Sequence, residues 1–320
     1  MVKWMRRTTW IASVVATLLA PGAAADAAAG PVAVVLGTAQ DGGLPHVACH
    51  CARCQAARRE PALARRVASL GIVIPPRPRL YLIDATPDLP AQLESLAAYR
   101  PAPSGRADRA PLDGLFLTHA HMGHILGLAY FGFEALHTSC LPVYGTDAVT
   151  RFVRDNGPWS LLVSRQEVAP EPLAPGRAVD LGGGVSIAAE PVPHRDELSD
   201  TVAFRVRGPR ATLYYVPDTD AWTRWEPPLV ERLDGVDVAL LDGTFYSAEE
   251  LPGRTVAAIG HPFITATMDL LEDRVRSGKL KVYFIHLNHS NPAWDPDGAA
   301  LREIRRRGFE VAEEGTELGL

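Results

Sequence analysis

The chain lacks a second long hydrophobic run, internal repeats, low-complexity tracts and any excess of positive charge. Each lack excludes something. Beyond the first 25 residues no segment approaches the ~20 apolar residues that a helix needs to cross a bilayer. Without self-similarity at a fixed period, solenoids and propellers are excluded. Lys and Arg number 32 against 37 Asp and Glu, which argues against a nucleic-acid partner. The glycine-rich stretch Gly37–Gly43 has neither a Gly-Lys-Ser/Thr ending nor G-x-G-x-x-G order, so its signal as a phosphate-binding loop is weak. Cysteine is sparse, with four in all.

What is present fits one large α/β domain or two smaller ones in 320 residues. The first 25 residues stand apart. Lys3, Arg6 and Arg7 precede an apolar stretch from Thr8 to Ala20, and Ala23-Ala24-Ala25 offers a small-x-small cleavage site. This is the layout of a secretory signal peptide, and the apolar stretch is too short for a comfortable membrane anchor. Cleavage after Ala25 takes Lys and Arg from 32 to 29, leaves the 37 acids, and moves the net charge from −5 to −8. The expectation is a periplasmic or secreted chain with residues 31–320 as its folded domain. It would take a small-molecule substrate, bind no nucleic acid and keep no stable membrane anchor once cleaved, in an oligomeric state left open.

The densest chemistry lies at His119-Ala120-His121-Met122-Gly123-His124, directly after the apolar run Leu115–Thr118. Three imidazoles at a strand end suit metal ligation better than packing. Other apolar strands end the same way. Asp84 ends Leu80–Ile83, His194 follows Pro191–Pro193, Asp218 follows Tyr214–Pro217, and His286 follows Val282–Ile285. Strands of one sheet can bring such ends to a common edge although they lie far apart in sequence. A second cluster, Cys49-x-Cys51-x-x-Cys54, sets three thiols on one tight loop, where metal or a disulfide is possible; His50 sits awkwardly between two of them. Cys140 has no evident partner and reads as a small buried apolar residue. Helices are expected at 87–98, 125–136, 147–155, 266–277 and 297–307. Strands are expected at 31–39, 70–74, 80–83, 112–118, 142–145, 185–192, 201–206, 211–216, 236–241 and 282–285. Meanders within each half argue against regular βαβ alternation and for two sheets packed face to face, helices outside.

These residues resemble the metallo-β-lactamase fold superfamily, with its H-x-H-x-D-H motif and later His, Asp and His. Within it the chain is similar to the pyrroloquinoline quinone (PQQ) biosynthesis protein B group. That likeness is carried by Leu36–Ala39 with Gly42-Gly43, Cys49–Cys54, Asp84–Leu89, Asp242–Thr244, Gly260-His261-Pro262 and Ile285–Pro292. The cyclic-phosphate phosphodiesterase of phosphonate degradation shares the Cys loop and the His cluster. The resemblance implies an αββα sandwich of two mixed sheets. It implies two active-site metal positions for zinc (Zn); the departure at Gly123 leaves one or two of them filled, with iron (Fe) or manganese (Mn) as alternatives. One position would be held by His119, His121 and His194, the other by His124 and His286, with Asp218 bridging and Asp84 orienting a ligand. It further implies a structural zinc on Cys49, Cys51, Cys54 and His261. His289 reads either as a substrate-facing acid or as a solvated loop residue.

Gly123 stands where the motif has a metal-binding acid. Asp196 and Asp200 are candidates to replace it. The functional expectation is a metal-dependent hydrolase of an ester, phosphodiester or lactone. The alternatives are an iron-dependent hydroxylating role in PQQ biosynthesis and a non-enzymatic cofactor or metal binder.

Overall fold

The structure is a computed structural model that describes residues 30–76, 78–99, 110–251, 253 and 260–320. The expected signal peptide, 1–25, lies outside the described residues.

Two mixed sheets of seven strands each form the body. The first begins with β1 (Val32–Gly37), β2 (Ser69–Ile74) and β3 (Arg79–Ile83), an antiparallel meander. It continues with β4 (Gly114–Phe116), β5 (Leu141–Gly145) and β6 (Val168–Pro172), all parallel to β3. The second sheet repeats this plan. β7 (Val179–Gly182), β8 (Val185–Val192), β9 (Thr201–Arg207) and β10 (Thr212–Val216) are antiparallel neighbours, and β11 (Val238–Asp242), β12 (Lys281–Ile285) and β13 (Glu310–Val311) follow in parallel. β14 (Glu317–Gly319) returns to the first sheet beside β1.

Alternation along the strands assigns the faces. In β2, Leu70, Ile72 and Ile74 point between the sheets, where they join Ile187 and Ala189 of β8 and Tyr215 of β10. Val73, Leu80 and Leu82 point outward beneath two helices, α2 (Leu89–Leu96) and α4 (Asp147–Asp155). On the other side Tyr214, Val216 and Leu241 lie under α7 (Ile264–Arg276) and α8 (Ala299–Arg306). Both faces of the parallel strands are therefore covered, which is why they read as near-continuous apolar runs.

The segment 125–136 differs from expectation. The helix α3 covers only Met122–Ile125, and a 3-10 helix follows at Leu126–Phe131. The amide of Gly127 donates to Ala85 O at 2.8 Å and the carbonyl of His124 accepts from Ala85 N at 2.9 Å. Those groups serve the end of β3 instead of a continuing helix. Gly127 is needed there, because a Cβ would meet Thr86 O at 2.3 Å.

Candidate metal centre

Parallel strands in each sheet end at the same edge, and the first residues beyond them carry the chemistry. Asp84 after β3 and His286 after β12 both leave their strands at positive φ, 68° and 64°. For residues other than glycine this conformation is strained, and it persists where surrounding contacts over-determine it. Asp84 shows those contacts. Its fully buried carboxylate accepts from Thr118 N at 2.8 Å, from Thr118 Oγ1 at 3.0 Å and from His124 Nδ1 at 2.7 Å.

Four of the five imidazoles share one arrangement: one nitrogen is held by protein and the other is buried without a hydrogen-bond partner. His124 Nδ1 is on Asp84, His119 Nδ1 is 2.9 Å from Thr118 Oγ1, and His286 Nδ1 is 3.0 Å from Thr244 Oγ1. The Nε2 atom of each is buried and unpartnered. His121 is reversed, with Nε2 3.2 Å from Glu197 Oε1 and Nδ1 orphaned. His194 has both nitrogens orphaned. Buried polar atoms are rarely left unsatisfied, and a polar shell that fixes ring orientation while leaving one lone pair free is the pattern of a metal-ligating histidine. Asp218 lies among them, buried, with Oδ2 3.2 Å from His194 Nε2, 3.5 Å from His119 Nε2 and 3.9 Å from His124 Nε2. His119, His121, His194 and Asp218 thus form one group whose donor atoms lie within 4.8 Å of one another. The residues fit a metal ion on their own chemistry.

Charge is balanced by this packing. Burial pulls the His119 and His121 imidazoliums down, His119 strongly, helped by the neighbouring rings. Burial also opposes the charged form of His124, yet Asp84, Asp41 and Asp218 outweigh it and hold that ring up to about 9. Burial works against the Asp218 carboxylate, but His261 and His286 dominate and keep it well below the usual carboxylate range.

Two residues exchange places relative to the sequence reading. His261 is not the fourth ligand of the Cys loop. A bridge between Phe245 and Phe263 holds its segment over the end of β11, so its Nδ1 lies 2.9 Å from Asp242 Oδ2 and 3.3 Å from Asp218 Oδ1. Burial opposes its charge, but Asp242 and Asp218 push it up to about 9. His289, expected to face substrate or solvent, groups instead with Cys49, Cys51 and Cys54 within 4.8 Å. Its segment is drawn there by the Ala39–Leu287 bridge and by Asn288 Nδ2 donating to Gln40 Oε1 at 2.6 Å. All four cysteines are free thiols, and backbone amides of Cys51, Cys54 and His46 donate to the sulfurs of Cys49, Cys51 and Cys54. Three sulfurs and one imidazole are a closed structural-zinc donor set. Cys140, expected to be buried, is exposed.

The residue that sequence reasoning missed is Asp41. It follows β1 in the Gln40–Gly43 turn, which is closed by Gly43 N donating to Gln40 O at 2.7 Å. Its Oδ1 is buried and unpartnered, 3.6 Å from His124 Nε2 and 3.7 Å from His286 Nε2. Burial opposes its ionisation, but His286 and His124 keep it below the usual carboxylate range. Strand direction was the available signal: β1 is twice antiparallel from β3, so both end at the same edge. Asp200 is engaged elsewhere, accepting from the Thr146 hydroxyl.

Comparison with known proteins follows the same lines. A family model described as the beta-lactamase superfamily domain matches residues 79–287. Coenzyme PQQ synthesis protein B of Rhodopseudomonas palustris is 28% identical over 314 residues, covering 90% of this chain and 99% of its own. The protein of that name from Cupriavidus necator is 27% identical over 315 residues, covering 89% and 98%. Among solved structures, zinc-bound PqqB from Methylobacterium extorquens superposes with a TM-score of 0.76 at 23% identity, over 90% of this chain and 100% of that one. A diphosphatase from the PhnP family gives 0.63 at 22% identity, over 91% and 98%. Matched by that model across most of its length, the chain belongs to the beta-lactamase superfamily.

Proposed function

We propose that the chain is a metal-dependent hydrolase acting on a phosphodiester, another ester or a lactone. One observation carries this reading. Five buried histidines each leave a ring nitrogen without a hydrogen-bond partner around the carboxylate of Asp218, which lies 3.2–3.9 Å from His119, His124 and His194 and shares a donor group within 4.8 Å with His121 and with His286. The donor set divides into His119, His121 and His194 on one side and His124 and His286 on the other, with Asp218 between. Bound there, metal ions supply a Lewis acid and a water acidic enough to attack at neutral pH.

The chain's own residues supply the remainder. Asp84 fixes the ring of His124, and Thr244 that of His286. His261, held through Nδ1 by Asp242, stands beside Asp218 at the mouth and is placed to pass a proton to a departing oxygen. Two surface clefts each reach the edge of the centre through one residue, His261 in one and Asp41 in the other. One, about 450 Å³, is lined by His261, Trp222, Leu229, Phe263 and Leu270. The other, about 570 Å³, is lined by Asp41, Val47, Arg65 and Met122. The likeness to a protein described as a diphosphatase of the PhnP family favours substrates cleaved at phosphorus.

The test is turnover of a panel of phosphodiesters, phosphoanhydrides and lactones by zinc-, manganese- and iron-loaded protein. Hydrolysis of at least one member, lost in His121→Ala, is expected. No turnover by any loaded form, with His121→Ala indistinguishable, would contradict it. Oxygen-dependent turnover by the iron form alone would favour the hydroxylating reading instead. Export is part of the proposal. Protein recovered from the periplasm should begin at Asp26, as N-terminal sequencing would show; a cytoplasmic chain beginning at Met1 would refute it.

A further inference from the structure

The acid missing at Gly123 has a structural counterpart. A Cβ built on Gly123 would lie 2.0 Å from Asp41 Oδ1 and 2.8 Å from Asp41 Cγ. The Asp41 carboxylate therefore fills the volume that a side chain at 123 would enter. Its oxygen faces the two imidazole nitrogens, His124 Nε2 and His286 Nε2, that a side chain at 123 would otherwise share. Both rings are wholly buried and both nitrogens are without a partner, as is Asp41 Oδ1 itself. Three orphaned donor atoms aimed at one point mark a ligand position, not an ion-pair network that closes on itself.

We propose that Asp41 is the carboxylate ligand of the second metal position, supplied by the loop after β1 in place of the acid absent at Gly123. The proposal rests on the two-metal reading above. The second position then has His124, His286 and Asp41, with Asp218 shared between the two.

The loop is built to hold Asp41 there. Gln40 N donates to Leu287 O at 3.0 Å and Leu287 N donates to Thr38 O at 2.9 Å, so Asp41 and His286 sit on two spliced backbones. On the other side of the turn, Gly42 lets the His46 ring approach to where a Cβ would lie 2.4 Å from it, and that ring packs on His289 at 4.4 Å. The Cys49, Cys51, Cys54 and His289 cluster thereby anchors the same loop that delivers the acid. A ligand from the loop after β1 also leaves Met122 and Gly123 at the start of α3 free of metal duty, and Met122 is exposed at the rim of the cleft Asp41 lines.

The experiment is zinc titration of the metal-free full-length mature chain against a chromogenic chelator, with total zinc counted by mass spectrometry. Wild type should take up three ions, one at the Cys cluster and two at the histidine centre. In Asp41→Asn one active-site step should weaken by at least ~100-fold, the upper end of what loss of even an outer partner costs. The other two steps should be unchanged, which also reports that the variant is folded. Gly123→Asp alone should weaken the same step, since two carboxylates then compete for one volume. The exchange Asp41→Gly with Gly123→Asp should restore it. Wild type with three ions and Asp41→Asn with three equally tight ones overturns the assignment of Asp41 while leaving the two-metal reading intact. Weakening in Asp41→Asn that the exchange fails to restore makes Asp41 a loop-holding residue and also overturns the assignment. A wild type with a single ion at the histidine centre overturns the two-metal reading itself.

Discussion

Asp84 shows how much rests on a side chain that touches no substrate. It is fully buried, its three donors are named groups, and one of them is the ring nitrogen that orients His124. Asp84→Asn keeps the shape but replaces an acceptor oxygen with a donor. The expected result is a ~10–100-fold loss of zinc affinity at the position served by His124, read by chelator competition, with uptake at the Cys cluster unchanged. The two relocated histidines separate in the same assay. His289→Ala should remove one zinc per chain while the histidine centre still fills. His261→Ala should keep the full zinc count and lose turnover. Residue identity at strand ends was legible because a His or Asp after an apolar run has few structural uses. Which way His261 and His289 face was not. That depends on backbone pairing between Ala39 and Leu287 and between Phe245 and Phe263, contacts that leave no local pattern.

At the scale of elements, the legible parts are those whose burial alternates or runs unbroken. β2, β3, β8, β9, β10 and β12 lie close to their expected limits because each strand's apolar residues repeat on one face or fill both. β13 and β14, of two and three residues, are too short to carry a period. The helix α1 (Ala52–Arg59) was hidden by the cysteines at its start, with Cys51 as its capping residue. Phe204 of β9 links the two sheets: it is fully buried and meets Phe116 of β4 edge-on at 5.7 Å. Phe204→Ala should cost about 3–5 kcal/mol, seen as a lower denaturant midpoint at an unchanged slope. A cost below about 1 kcal/mol would mean that the sheets are held together elsewhere.

Across the whole molecule the two sheets repeat one plan, antiparallel strands followed by parallel ones, and the candidate centre lies where their edges meet. His119, His121, His124 and Asp84 come from the first sheet, and His194, Asp218, Asp242 and His286 from the second. Bound ions would therefore staple one sheet to the other. An ion present at a thousand times its dissociation constant adds about 4 kcal/mol to stability. Chelation should then lower the melting temperature by on the order of 10 °C, given about 2–4 °C per kcal/mol for chains approaching this size. Unchanged melting on chelation would show that the sheets close without metal.

The most direct measurement is anomalous diffraction at the zinc edge from crystals of the mature chain. Three peaks are predicted. One lies among Cys49, Cys51, Cys54 and His289. Two lie roughly 3.5–4 Å apart on either side of Asp218, the second within reach of Asp41. A lone peak at His119, His121 and His194, with nothing between His124, His286 and Asp41, would contradict the account.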